Sequence, residues 1–274
     1  MMSPNPNIKA IIFDIGGVVV GSPLFAINAY EKDHGLPFQY LNVAITAQGH
    51  GGAFQRFERN ELDLYSFYRQ FGHELSNVEA NNRHYTAFCK ARGMDVPALP
   101  KELKIDGRDL FGQMMRRSLQ VDPKMSHAIQ KLRATGRYKI AALTNNFAPP
   151  TAPSTPAGER GASGPAPSLE EELDHLGLGA KQDGVKNLFD EYIESAKVGM
   201  RKPDPNFYRY ALDLLKVEPS QTVFLDDIGH NLKAAKDLGI FTIRVNSKDS
   251  TDALRQLSKV TGLELLPDRQ GAKL

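Results

Sequence analysis

The chain has 274 residues, 41% hydrophobic and 24% charged, an ordinary balance for a globular protein with one large domain or a domain plus a smaller insert. Its formal charge of +2 gives no basic field for nucleic acid, and one cysteine, Cys89, excludes internal disulfides and a cysteine-built zinc site. Cys89 reads as a small buried apolar residue in a reducing compartment. No stretch approaches the ~18 apolar residues of a membrane span. The segment Met1–Asn7 lacks the charged-then-apolar order of a secretory signal.

In chain order, the first element is a buried strand over 8–14, ending in Ile11-Ile-Phe-Asp14 and followed by Ile15-Gly16-Gly17-Val18. A carboxylate that stops a buried strand is costly unless it is paired, metal-bound or reactive. Residues 22–118 carry helical periodicity throughout and are expected to form a helical cap. The flanking stretches, 1–21 and 119–274, are expected to form the core. A second strand is predicted over 139–144, ending in Thr144. Residues 148–168, with six Pro, three Gly, five Ala and five Ser or Thr, read as an extended insertion within that core, ahead of a helix near 169–176.

Further strands are predicted over 190–194, 221–226 and 240–245, with helices over 205–216, 231–238 and 252–259. The clearest, residues 10–13, 138–143, 222–225 and 240–245, are continuous apolar runs, as in a parallel sheet covered on both faces. Strands alternating with helices make the fold class α/β, a doubly wound parallel sheet. Ligands of such sheets bind beyond the carboxyl ends of the strands. Asp14, Thr144 and the pair Asp226-Asp227 all stand at such ends and face one crevice if the first and fourth strands flank the switch point.

Four ordered motifs, Phe13-Asp-Ile-Gly-Gly-Val-Val19, Leu143-Thr-Asn-Asn146, Val198-Gly-Met-Arg-Lys-Pro-Asp-Pro205 and Phe224-Leu-Asp-Asp-Ile-Gly-His-Asn231, resemble those of the haloacid dehalogenase-like hydrolases. The likeness extends to the N-terminal phosphatase domain of soluble epoxide hydrolases and their stand-alone relatives. The resemblance implies a Rossmann-like core and Mg²⁺-dependent hydrolysis of a small-molecule phosphate ester. It implies Asp14 as nucleophile and Lys202 as the cation beside it, stiffened by Pro203 and Pro205. Thr144 and the Asn145 backbone N–H would take the phosphate. Mg²⁺ would be held by Asp14, the Gly16 carbonyl and Asp227, with Asp226 as a water-mediated or supporting ligand and Asn231 bracing the loop.

Most phosphatases of that family carry a second Asp two residues after the nucleophile, where this chain has Gly16. Losing a general acid–base costs roughly 10²–10⁴-fold, so substrates with good leaving groups are expected. In the cap, His50 or His34 could supply the proton, and His50, Arg56 and Glu58 are candidate substrate contacts. Two other readings are a 2-haloacid dehalogenase and a catalytically silent phosphate- or partner-binding module. Ala272-Lys273-Leu274 resembles a peroxisomal import signal, so cytoplasmic and peroxisomal locations, the latter through an import receptor, both stand as expectations. No nucleic-acid or membrane partner is expected.

Overall fold

The computed structural model describes residues 5–150, 167–178 and 183–267. Strand β1 (Ala10–Phe13) is followed by helices α1 (Pro23–Asp33), α2 (Tyr40–Ala47), α3 (Ala53–Glu58), α4 (Leu64–Ser76), α5 (Val78–Lys90) and α6 (Gly107–Arg117). Next come α7 (Pro123–Ala134), β2 (Lys139–Thr144), α8 (Leu169–His175), α9 (Asp183–Lys186) and β3 (Glu191–Glu194). The chain then forms α10 (Ser195–Val198), α11 (Pro205–Leu215), β4 (Thr222–Asp226), α12 (Gly229–Asp237), β5 (Phe241–Arg244) and α13 (Thr251–Thr261). Among the described residues, no helix is long and apolar enough to cross a membrane.

The chain divides into two compact units, residues 1–22, 118–146 and 180–274 in one and 23–117 and 147–179 in the other. The first holds a five-stranded parallel sheet in the order β3-β2-β1-β4-β5. Its strands fall within the predicted segments, and their pattern explains why. In β1, Ile11 and Phe13 join the apolar cluster of α7 and α13, whereas Ala10 and Ile12 join that of α11 and α12. Strand β4 divides likewise, Val223 and Leu225 to one face and Phe224 to the other. Two buried faces remove the polar alternation of a half-exposed strand. Fully burying each large apolar side chain contributes about 1.5–3 kcal/mol.

The order places β1 and β4 side by side, with Phe13 opposite Leu225, where the chain reverses its direction of sheet building. Backbone pairing runs one residue past β1, from Asp14 N–H to the Leu225 carbonyl at 2.8 Å.

The second unit contains α1–α6 and α8 around an aromatic core. Phe57 stacks on Phe67 with centroids 4.1 Å apart and on Phe147 at 5.1 Å, while Phe111 meets Phe67 edge-on at 4.9 Å. Here one expectation is corrected, because 147–179 groups with the helices rather than the sheet. The reason is burial. Leu176 is fully covered, and the wholly buried Glu172 on α8 accepts from Tyr68 Oη at 2.6 Å and pairs with Arg108 Nε at 3.0 Å. Most of the 148–168 insertion, the residues 151–166, lies outside the described residues, as do Ala272, Lys273 and Leu274.

Candidate active site

Asp14 is the first residue beyond β1, where strand pairing gives way to a tight loop. The Ile15 carbonyl accepts from the N–H groups of Val18, Val19 and Val20, and Gly17 N–H returns to the Val20 carbonyl at 2.9 Å. Gly17 has a φ of +79°, and a Cβ there would lie 2.3 Å from Asp227 Oδ2. Glycine is therefore required twice, by conformation and by space. Gly16 forms a backbone bridge with Val20 and presents no side chain beside Asp14.

Lys202 reaches this loop from the segment between α10 and α11. Its Nζ lies 2.7 Å from Asp14 Oδ1 and 2.9 Å from Asp226 Oδ2, and the residue is 1% exposed. Asn145, just past β2, holds its backbone on both sides. Asn145 Oδ1 accepts from Lys202 N–H at 2.8 Å, and Asn145 Nδ2 donates to the Lys202 carbonyl at 3.0 Å. The side chain of Asn145 thus acts as a clamp on the lysine's peptide, a role that strand-end reasoning does not supply. Thr144, on the same strand end, is buried, with its hydroxyl 3.3 Å from the Asn145 carbonyl.

Asp226 ends β4 and is fully buried. Its oxygens accept from Lys202 Nζ, from Ile228 N–H at 2.7 Å and from Asn231 Nδ2 at 3.2 and 3.1 Å. Asn231 is itself positioned by Tyr208 Oη, which donates to its carbonyl at 2.9 Å. Both Asp226 oxygens are therefore engaged. Asp227 differs. Its Oδ2 accepts from Ser247 Oγ at 2.9 Å, whereas the buried Oδ1 has no hydrogen-bond partner among the described residues.

The electrostatics follow from one ammonium among three acids. Burial pushes the Asp14 carboxyl well above its ordinary value; the Lys202 charge opposes this, while Asp226 and Asp227 add to it. Asp227 is pushed up to about 6, chiefly by burial and then by the Asp226 charge. Burial disfavours the Lys202 ammonium, but Asp14 and Asp226 outweigh it and hold the group above the usual lysine range. Lys202 therefore stays charged.

Asp14, Asp226 and Asp227 each bring one oxygen within 4.8 Å of the others. The orphaned Oδ1 of Asp227 and this hard oxygen donor set fit a divalent cation such as Mg²⁺. Among the described residues, Asp14 is bonded by Lys202 Nζ and Ile15 N–H, both on Oδ1.

The structure brings together Asp14, Lys202, Asp226, Asp227, Asn145 and Asn231. His50, Arg56 and Glu58 belong to the helical unit. His50 is exposed in the short turn Gly49–Gly51. Its carbonyl accepts from Arg59 Nη2 at 2.8 Å, and the buried Arg59 pairs with Glu61 at 2.6 Å. Arg56 donates to Gln70 Oε1 at 3.0 Å, and Glu58 is buried.

Sequence reasoning missed Ser247 and the Asn145 clamp. The polar run Asn246-Ser-Lys-Asp249 follows the fifth strand, so the strand-end rule applied to Asp14 and Asp226 also covers Ser247.

Residues 8–239 match the family described as haloacid dehalogenase-like hydrolase. The chain is 34% identical over 261 residues to a sesquiterpene phosphatase of Aspergillus oryzae, covering 93% of this chain and 97% of that protein. It is 31% identical over 260 residues to bifunctional epoxide hydrolase 2 of Sus scrofa, covering 94% of this chain but 40% of that protein. It is 29% identical to acyl-CoA dehydrogenase family member 10 of Mus musculus, where 94% of this chain spans 19% of that protein. The chain thus spans less than half the length of the pig and mouse relatives. A HAD-family enzyme from Bacteroides thetaiotaomicron shares the fold, with a TM-score of 0.52 at 16% identity over 90% of this chain and 98% of that one.

Proposed function

Since this chain belongs to the haloacid dehalogenase-like hydrolase family, we propose that it is a Mg²⁺-dependent phosphomonoesterase using a phosphoaspartyl intermediate on Asp14. One observation carries the reading: a buried Asp14–Lys202–Asp226 contact beside a third carboxylate, Asp227, that has an unpartnered buried oxygen. An anionic buried cluster of this kind is costly by itself and is suited to completion by a divalent cation and a phosphate ester. Asp14, Asp227 and the Gly16 carbonyl would hold Mg²⁺, with Asp226 supporting from behind because Lys202, Asn231 and Ile228 already occupy its oxygens. When bound, Mg²⁺ supplies positive charge that lets an anionic nucleophile approach an anionic phosphate.

Asp14 Oδ2, which takes neither the Lys202 ammonium nor the Ile15 N–H, is the oxygen assigned to attack, and Oδ1 can still serve as a ligand through its remaining lone pair. A bond forms from Oδ2 to phosphorus, the ester P–O bond breaks, and the leaving oxygen departs with the electron pair. Lys202 remains protonated and offsets charge on Asp14 and the phosphate. The Thr144 hydroxyl and Asn145 N–H would donate to phosphate oxygens. Water then attacks phosphorus, releasing inorganic phosphate and restoring the Asp14 carboxylate.

Gly16 offers no carboxyl to protonate the leaving group, so good leaving groups are favoured. His50 of the helical unit is the proposed proton source for poorer ones, and Arg56 and Glu58 are proposed substrate contacts. Because the sesquiterpene phosphatase relative is similar over nearly its whole length, we include isoprenoid monophosphates among the substrates to test.

Release of inorganic phosphate from a panel of aryl, acyl, anomeric sugar and isoprenoid monophosphates tests the proposal. Magnesium-dependent turnover that falls to background in Asp14→Asn is expected. Turnover surviving in that variant would remove Asp14 as nucleophile, and full turnover in chelator would remove the cation. Chloride release from 2-chloropropionate would move the assignment to a dehalogenase.

A further inference from the structure

Of the three clustered acids, Asp14 and Asp226 pair with the Lys202 ammonium, whereas Asp227 takes a hydroxyl. Its only side-chain partner among the described residues is a hydroxyl from the β5–α13 connection, Ser247 Oγ at 2.9 Å from Oδ2. That connection is a tied turn. Asn246 and Asp249 pair as an antiparallel bridge, with Asp249 N–H on the Asn246 carbonyl at 2.9 Å and Lys248 N–H on Asn246 Oδ1 at 3.0 Å. Its far end is fastened to α7, whose Lys124 Nζ lies 2.9 Å from both Asp249 Oδ1 and Thr251 Oγ1. Ser247 is therefore presented from a turn closed on itself and anchored at one side.

Gly17 also lies against this oxygen, and a Cβ there would come within 2.3 Å of Asp227 Oδ2. Oδ2 is thus in contact with the glycine loop and bonded to the serine hydroxyl, and Oδ1 is the oxygen left buried and unpaired among the described residues. A carboxylate without such a bond could turn about its terminal torsion, which is broad and roughly two-fold. Holding one oxygen in a hydrogen bond fixes the carboxylate plane and leaves the other to act as ligand.

We infer that Ser247 is a positioning residue for cation binding: its hydroxyl locks Asp227 Oδ2 so that Oδ1 is held as the cation ligand. The inference rests on the cation-binding reading above. Calorimetric titration of the full chain with MgCl₂ tests it, alongside melting temperatures in EDTA and in excess Mg²⁺. Ser247→Ala is expected to bind Mg²⁺ about ten-fold more weakly, with an unchanged melting temperature in EDTA and a smaller gain on adding Mg²⁺. Ser247→Thr, which keeps the hydroxyl, is expected to bind like the wild type. Wild-type affinity in Ser247→Ala would overturn the assignment while leaving the cation site intact. A melting temperature lowered equally in EDTA and in Mg²⁺ would overturn it in favour of a purely structural role. A wild-type chain that binds no Mg²⁺ would overturn the cation site itself and the positioning role with it. If Ser247→Ala does not fold, Lys124→Ala releases the turn at an exposed ion pair: weaker Mg²⁺ binding supports the role, and unchanged binding overturns it.

Discussion

Without the ammonium of Lys202, Asp14 and Asp226 would face one another in a buried space with no countercharge. Removing one partner of a buried pair costs about 3–5 kcal/mol, because the remaining charge is left uncompensated. Lys202→Met is therefore expected to lower stability by that order in urea denaturation at pH 7.5, and to abolish phosphate release. If protonation of Asp14 absorbs the imbalance, the loss should shrink as the pH is lowered toward 5. A stability loss that does not vary with pH would count against the electrostatic account. Asp14 and the Asp226-Asp227 pair were legible in the sequence because charged residues at the ends of apolar runs stand out against their surroundings, whereas Lys202, in the loop Gly199-Met-Arg-Lys-Pro203, was legible only through the motif resemblance. Ser247 and the side-chain role of Asn145 were not. Serine and asparagine after a strand are common caps and turns, and nothing in their spacing says which group each one bonds.

At the level of elements, the strands were legible for the same physical reason that they are stable. Burial on both faces makes the inner strands β1 and β4 continuous apolar runs, and Ile11, Phe13, Val223 and Leu225 read identically in sequence and in the sheet. Helix α8 was placed with the wrong unit because Leu169–His175 announces a helix but not its neighbour. Its determinant is the burial of Glu172 against Tyr68 and Arg108, residues 104 and 64 positions away. Tyr68→Phe is expected to destabilise the helical unit by about 1–3 kcal/mol, the cost of leaving a buried charged acceptor short of a donor. Hydrogen exchange in α8 and α4 would register it, and unchanged protection there would refute it. The β1 loop offers a harsher case. Gly17→Ala combines an unfavourable φ of +79° with a 2.3 Å approach to Asp227 Oδ2, so Asp227 must move. We expect it to lose at least about 1 kcal/mol of stability and, unlike Tyr68→Phe, most of its Mg²⁺-linked stabilisation in thermal melts.

For the whole molecule, the acid cluster contributes a loss of stability as pH rises. A carboxyl whose folded-state value is raised binds its proton more tightly in the folded chain than in the unfolded one. Its favourable contribution is complete below the unfolded value and is lost as pH rises through the folded value. For Asp227 that window runs from 3.8 to about 6. The full shift corresponds to about 3 kcal/mol at most, less with partial solvent screening. Asp14 is raised in the same direction, by burial first, and deepens the loss. In EDTA the melting temperature should therefore fall between pH 4 and pH 6.5, opposite to the behaviour of carboxylates held by salt bridges. Added Mg²⁺ favours the deprotonated acids, so its stabilisation should be small at pH 4.5 and large at pH 7.5. Thermal melts across that range, with and without the cation, give both curves. A flat curve in EDTA would mean that the acids are compensated by the protein alone. An equal Mg²⁺ gain at both pH values would mean that the cation binds elsewhere. The predicted divergence of the two curves ties the stability of the fold to the same buried acids that include Asp14.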